Sequence, residues 1–139
     1  MRTIEFRAWD KTNKKMVDYF HISSLDGSVT VYNYPMDYFE DQSLPEEAID
    51  HEDYELMQFT GLLDKNGTKI FEGDIVRISY EDDENISQVK YKAPMFVFEN
   101  SDGHIWQPIF FSVDGYSYEY KPEMCEVIGN IYQSPELIK

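Results

Sequence analysis

Apolar and polar residues alternate with a period of two along most of this chain, the pattern of half-buried β-strands rather than helices. Ile4, Phe6 and Ala8 alternate with Glu5, Arg7 and Trp9. The polar run 10–15 predicts a turn, a second strand follows from Met16 to Ile22, and Asp26-Gly27 leads tightly into Val29-Thr30-Val31-Tyr32. The densest signal lies from Leu56 to Ile78, read as strand, turn, strand, turn, strand. Its first turn is Asp64-Lys65-Asn66-Gly67, where Asn66 and Gly67 tolerate positive φ; its second is Glu72-Gly73-Asp74, followed by the β-branched Ile75, Val76 and Ile78. The acid run Glu81-Asp82-Asp83-Glu84 is read as a solvated loop that blunts a sheet edge. Beyond it, Val89 and Tyr91 alternate with Gln88, Lys90 and Lys92, and Met95 to Phe98 is apolar. Ser101-Asp102-Gly103 turns the chain into a strand from Ile105 to Val113, Asp114-Gly115 turns it again, and Val127 to Tyr132 is a closing strand ahead of Pro135.

These elements predict a mainly β protein. An N-terminal antiparallel β unit occupies 1–36, an acidic linker with at most a short helix spans 37–55, and a small antiparallel barrel fills 56–139. The glycine-aspartate turn feeding Ile75-Val76 suggests a Src-homology-3-like barrel, an analogy of fold that carries no function. In the linker, Asp37, Glu40, Asp41, Glu46, Glu47, Asp50, Glu52, Asp53 and Glu55 occur without any Lys or Arg. Ser43 or Leu44 could cap a helix there, with Pro45, Glu46 and Glu47 in its first turn.

Composition narrows the class. Hydrophobic residues make up 42% and aromatics 16%, which suits a folded domain, and the eleven Tyr and nine Phe favour pleated surfaces. The 27 acids outnumber the 12 bases for a net charge of −15. Such a chain is repelled by phosphate backbones and anionic lipid unless its bases are focused on one face. With one cysteine, Cys125, no internal disulfide can form, and its Glu neighbours disfavour a thiolate, so it reads as a small buried hydrophobe. No apolar run approaches membrane-spanning length, and a cytoplasmic location is expected.

Candidate chemistry is sparse. Asp64, Glu72 and Asp74 could be taken for a metal or acid–base set, but carboxylates and glycines at these positions serve turns. His21, His51 and His104 are too far apart in sequence to share ligand spacing. No nucleophile motif, phosphate loop or paired cysteine motif is present, so neither a cofactor nor enzymatic activity is expected. The one basic patch with an aromatic is Arg2, Arg7, Trp9, Lys11, Lys14 and Lys15. It could bind nucleic acid with Trp9 stacking on a base. The preferred reading docks it on the acidic segment 37–55 of the same chain or of another copy.

Three blocks carry a family resemblance: RAWDKTNKKM (Arg7 to Met16), FTGLLDKNGTKIFEGDIVRI (Phe59 to Ile78) and VIGNIYQSPEL (Val127 to Leu137). Together they resemble the YopX family of phage and prophage proteins, and the order TGL, DKNG, EGDIV is the specific part. The resemblance spans essentially the whole chain, with Tyr34 to Tyr54 outside its blocks. It implies a small, mostly β protein of phages or prophages and implies no activity. The expectation is an accessory protein that acts by contact with a host or phage protein, as a homo-oligomer. The alternative is a nucleic-acid-associated module using the basic N-terminal face.

Overall fold

The period-two pattern folds as strands nearly throughout, in a computed structural model that describes residues 3–17, 20–25, 28–33, 47–49, 52–80, 82–106, 111–113, 116–118 and 120–139. The first strands are β1 (Phe6–Asp10), β2 (Lys15–Val17), β3 (Phe20–Leu25), β4 (Ser28–Asn33), β5 (Glu47–Ile49) and β6 (Tyr54–Leu63). After them come β7 (Lys69–Phe71), β8 (Asp74–Tyr80), β9 (Asp83–Lys92) and β10 (Met95–Asn100). The last are β11 (Ile105–Trp106), β12 (Phe111–Val113), β13 (Tyr116–Tyr118) and β14 (Cys125–Asn130), and a 3-10 turn at Pro135–Ile138 ends the chain. The protein is mainly β, and every described pairing is antiparallel.

The chain forms two compact units, Phe6–Met57 and a second built from Met1–Glu5 together with Gln58–Lys139. The larger unit therefore starts, is interrupted for some fifty residues, and resumes within β6. Its main sheet has the order β11-β10-β9-β8-β14. One face carries Val76, Ile78, Val89, Phe98 and Cys125, which pack with Ile70 into the core, each at most 6% exposed. Val127 and Tyr120 border that cluster. Burying one such aliphatic side chain contributes about 1.5–3 kcal/mol, so this sheet face is a substantial source of stability. No described pairing joins β11 to β14, so closure into a Src-homology-3-like barrel is not part of the described architecture.

In the smaller unit β1 pairs with β2 through Ala8–Val17, Trp9–Met16 and Asp10–Lys15, while β3, β4 and β5 make a separate three-stranded sheet. Ala8, Val17 and Tyr54 form its buried cluster.

Four expectations change. Ile4 lies outside β1 and is 69% exposed, whereas Ala8, Trp9 and Asp10 are all buried, because β1 is flanked by strands on both sides and both faces of its second half are covered. Glu47 to Ile49, placed in a linker with a short helix, is a strand: Glu47, Ala48 and Ile49 face Asn33, Tyr32 and Val31 of β4. A ready-made strand edge satisfies these backbone groups without the costly nucleus of an isolated helical turn. The capping positions Ser43 to Glu46, the turn at Asp26-Gly27 and the turn at Asp114-Gly115 lie outside the described residues. The acid run is not all loop, since Asp83 and Glu84 begin β9 opposite Tyr80 and Ser79. Their side chains point to water, so a strand accommodates the charge at little cost. The closing strand starts at Cys125 and ends at Asn130, with an irregularity between Val127 and Gly129.

Gly67 and Gly73 have φ of 78° and 80°. Gly73 also donates its N–H to Val89 O (2.9 Å) and accepts from Ile131 N–H (2.9 Å), which fixes its peptide on two sides. Gly73→Val is expected to destabilise the protein by about 1–2 kcal/mol or more, since a branched residue is strained at that φ. Thermal melting reads this out, and a variant melting within a degree of the parent would contradict it.

Candidate functional site

Strand β1 and the turn after it bring most of the predicted basic patch into the β1–β2 hairpin, but not as one open face. Trp9 is 5% exposed. Arg7 is half-buried, and its Nε lies 3.4 Å from Met57 Sδ. Lys11 pairs with Glu55 (3.3 Å), and its N–H donates to Asp53 O (2.8 Å). Glu55 and Asp53 belong to the acidic segment, so this end of 37–55 does meet the patch within one unit. Lys14 sits in the turn with φ of 55°, and Lys15 is exposed near Asp10. Arg2 and residues 34–46 lie outside the described residues. With its ring enclosed, Trp9 cannot stack on a base without the hairpin opening.

What organises the hairpin is Asp10, the first residue of the polar run 10–15. Its Oδ1 accepts from Thr12 N–H (2.9 Å) and Asn13 N–H (2.8 Å), and its Oδ2 accepts from Asn13 Nδ2 (2.8 Å). Burial works against its charge, but these hydrogen bonds outweigh it and hold the carboxyl below the usual aspartate range.

The central turns repeat this logic more deeply. Asp64 is 2% exposed. Its Oδ1 accepts from Asn66 N–H and Thr68 N–H (2.8 Å each), and its Oδ2 accepts from Val127 N–H (2.9 Å). Lys65 N–H donates to Cys125 O (2.9 Å), so the turn covers the outer edge of β14. Burial again opposes the charge of Asp64, and bonds from the Val127, Thr68 and Asn66 amides more than offset it, lowering its pKa. Asp74 Oδ2 accepts from Phe71 N–H (2.7 Å), and Glu72 N–H donates to Gln58 O (2.9 Å). Asp64, Asn66 and Gly67 thus lie in the first turn and Glu72 and Gly73 in the second, with Asp74 opening β8 directly after it. Asn100 and Asn130 close β10 and β14 in the same way, each accepting two backbone N–H groups on Oδ1. The sequence signal for these was available in Asn100-Ser101-Asp102-Gly103, where an Asx residue starts a glycine turn.

Cys125 is buried, and burial pushes its thiol up to about 11 against a smaller lowering by the Tyr120 hydroxyl. Tyr120 donates its hydroxyl to Leu63 O (2.7 Å), and burial raises its pKa as well. Neither group is poised to ionise near neutrality. Among the described residues no three of His, Cys, Asp and Glu gather as a metal site, and no helix is long and apolar enough to cross a membrane.

The remaining described cations lie mostly against acids. Glu126 Oε2 takes Lys65 Nζ (2.9 Å) and Arg77 Nη1 (3.0 Å), and these hold its carboxyl below the usual range. Arg77 also reaches Glu84 (3.3 Å), and Lys69 pairs with Glu5 (2.6 Å). Lys92 and Lys90 (3.0 Å) both bind Glu99 and likewise lower its pKa.

The family model described as YopX protein matches residues 5–139. Two solved structures are similar over 100% of this chain and 100% of their own. Protein EF1440 from Enterococcus faecalis has 27% identity and a TM-score of 0.55, and protein yopX from Bacillus subtilis has 23% identity and a TM-score of 0.62. No curated protein matches the chain.

Proposed function

The chain belongs to the YopX family, and from that premise we propose a non-enzymatic phage or prophage accessory protein that works by protein–protein contact, as a homo-oligomer in the host cytoplasm. The observation that carries this reading is the disposition of charge. In a chain with a net charge of −15, Lys11, Lys65, Lys69, Arg77, Lys90 and Lys92 are each engaged by a carboxylate. Six of the twelve bases are thus already neutralised within the chain, which weakens the release of counterions from a phosphate backbone. An acidic surface laced with such pairs suits a protein partner with complementary charge. Self-association is supported by β2, which among the described residues is an edge strand of its sheet.

Light scattering across protein concentration, with a parallel nucleic-acid titration across salt, tests the reading. A mass above that of one chain is expected, with no salt-sensitive nucleic-acid binding. A monomer at every concentration would remove the oligomer. Binding to nucleic acid that weakens steeply with salt, and is lost on charge reversal at Lys14 and Lys15, would replace the reading with the nucleic-acid module.

A further inference from the structure

Of the chain's asparagines at 13, 33, 66, 85, 100 and 130, Asn66 alone is followed by glycine. That pairing matters chemically, because the backbone nitrogen of the next residue can attack an asparagine side-chain carbonyl, and a Cβ on that residue obstructs the approach. Gly67 has none, and nothing lies within 4 Å of where one would be. Asn66 is exposed, and its side-chain amide makes no hydrogen bond. Among the other described asparagine side chains, Asn13 Nδ2 donates to Asp10, Asn100 Oδ1 accepts from the Asp102 and His104 N–H groups, and Asn130 is engaged through both Oδ1 and Nδ2. Asn85 is partly buried within β9, ahead of the branched Ile86.

We propose that Asn66 is a site of spontaneous deamidation in the folded protein, with water as the only co-reactant. Gly67 N loses its proton to solvent and attacks Asn66 Cγ, forming a five-membered imide. The Cγ–Nδ2 bond breaks, and Nδ2 takes up a proton and leaves as ammonia. Water then adds to either imide carbonyl and opens the ring to aspartate or isoaspartate. The Gly67 N–H first has to leave Asp64 O, to which it donates at 3.0 Å. The turn therefore slows the reaction relative to an unfolded chain without removing Asn66 from first place.

The product bears on the fold. Isoaspartate inserts a methylene into the main chain between two amides, Asn66 and Thr68, that share Asp64 Oδ1. They can no longer both reach it, and the clamp on β14 loosens.

The experiment incubates the full-length folded protein at mildly alkaline pH and maps its peptides over time, with denatured chain as reference. A gain of one mass unit is expected first on the peptide holding Asn66, with isoaspartate detected by enzymatic methylation. The melting temperature of the aged protein should fall in step, while Asn66→Gln aged alongside keeps its own. Conversion of any other asparagine ahead of Asn66 would overturn the proposal. So would an intact Asn66 when the same residue in the denatured chain has fully converted.

Discussion

Asp64→Ala should be among the most damaging single substitutions in this protein, lowering stability by about 3–5 kcal/mol on the scale of broken buried charged networks. The loss has three parts, since the amides of Asn66, Thr68 and Val127 all give up an ionised acceptor inside the protein. Asp64→Asn retains one oxygen and the shape but turns a donor toward one of these N–H groups, so it should cost about half as much. Denaturant unfolding of both variants measures this, and parent-like midpoints would show that the turn is held by its glycine and hairpin alone. The same carboxylate shapes the acid limb of stability. Its folded pKa lies below the ordinary 3.8. The contribution is therefore complete above the unfolded value and is lost as pH falls through the lower, folded one. Asp10 is shifted in the same direction and adds to the same window. Stability should thus fall below about pH 4, and Asp64→Ala should flatten that fall.

Trp9→Ala is the second large effect, at about 3–5 kcal/mol for emptying a buried aromatic site. Its value is diagnostic. A Trp used for base stacking would be dispensable for folding, whereas a ring that is 5% exposed in the hairpin is part of the packing. The expected result is a lowered melting temperature with no selective change in nucleic-acid binding. A variant as stable as the parent would return Trp9 to the surface.

These two residues also mark where the sequence was legible. The turns at Gly67 and Gly73 could be read because Asn-Gly and Glu-Gly-Asp are local signals, settled by the dihedral freedom of one residue. The grip of Asp64 on Val127 could not, because the partner lies 63 positions away and depends on β14 reaching β8. Trp9 was misread because a period of two tells which residues share a face, not whether both faces are covered. That is decided by what packs against the sheet. The patch itself was visible as composition, while its partial neutralisation by Glu55 required the fold that brings the end of the acidic segment to Lys11.

The place of β14 has a consequence for synthesis. Strands β8, β9 and β10 are joined by short turns and can pair as they leave the ribosome, but β8 keeps an open edge until Cys125–Asn130 arrives. Until then Asp64 is an anion with one intended donor missing, and the Cys125 side of the core is open to water. A nascent chain stalled before its last strand would present a sticky, half-finished sheet to chaperones and proteases. Maturation of the larger unit is thereby tied to the arrival of residues 125–130, and a chain cut short before them should be rapidly degraded rather than partly working.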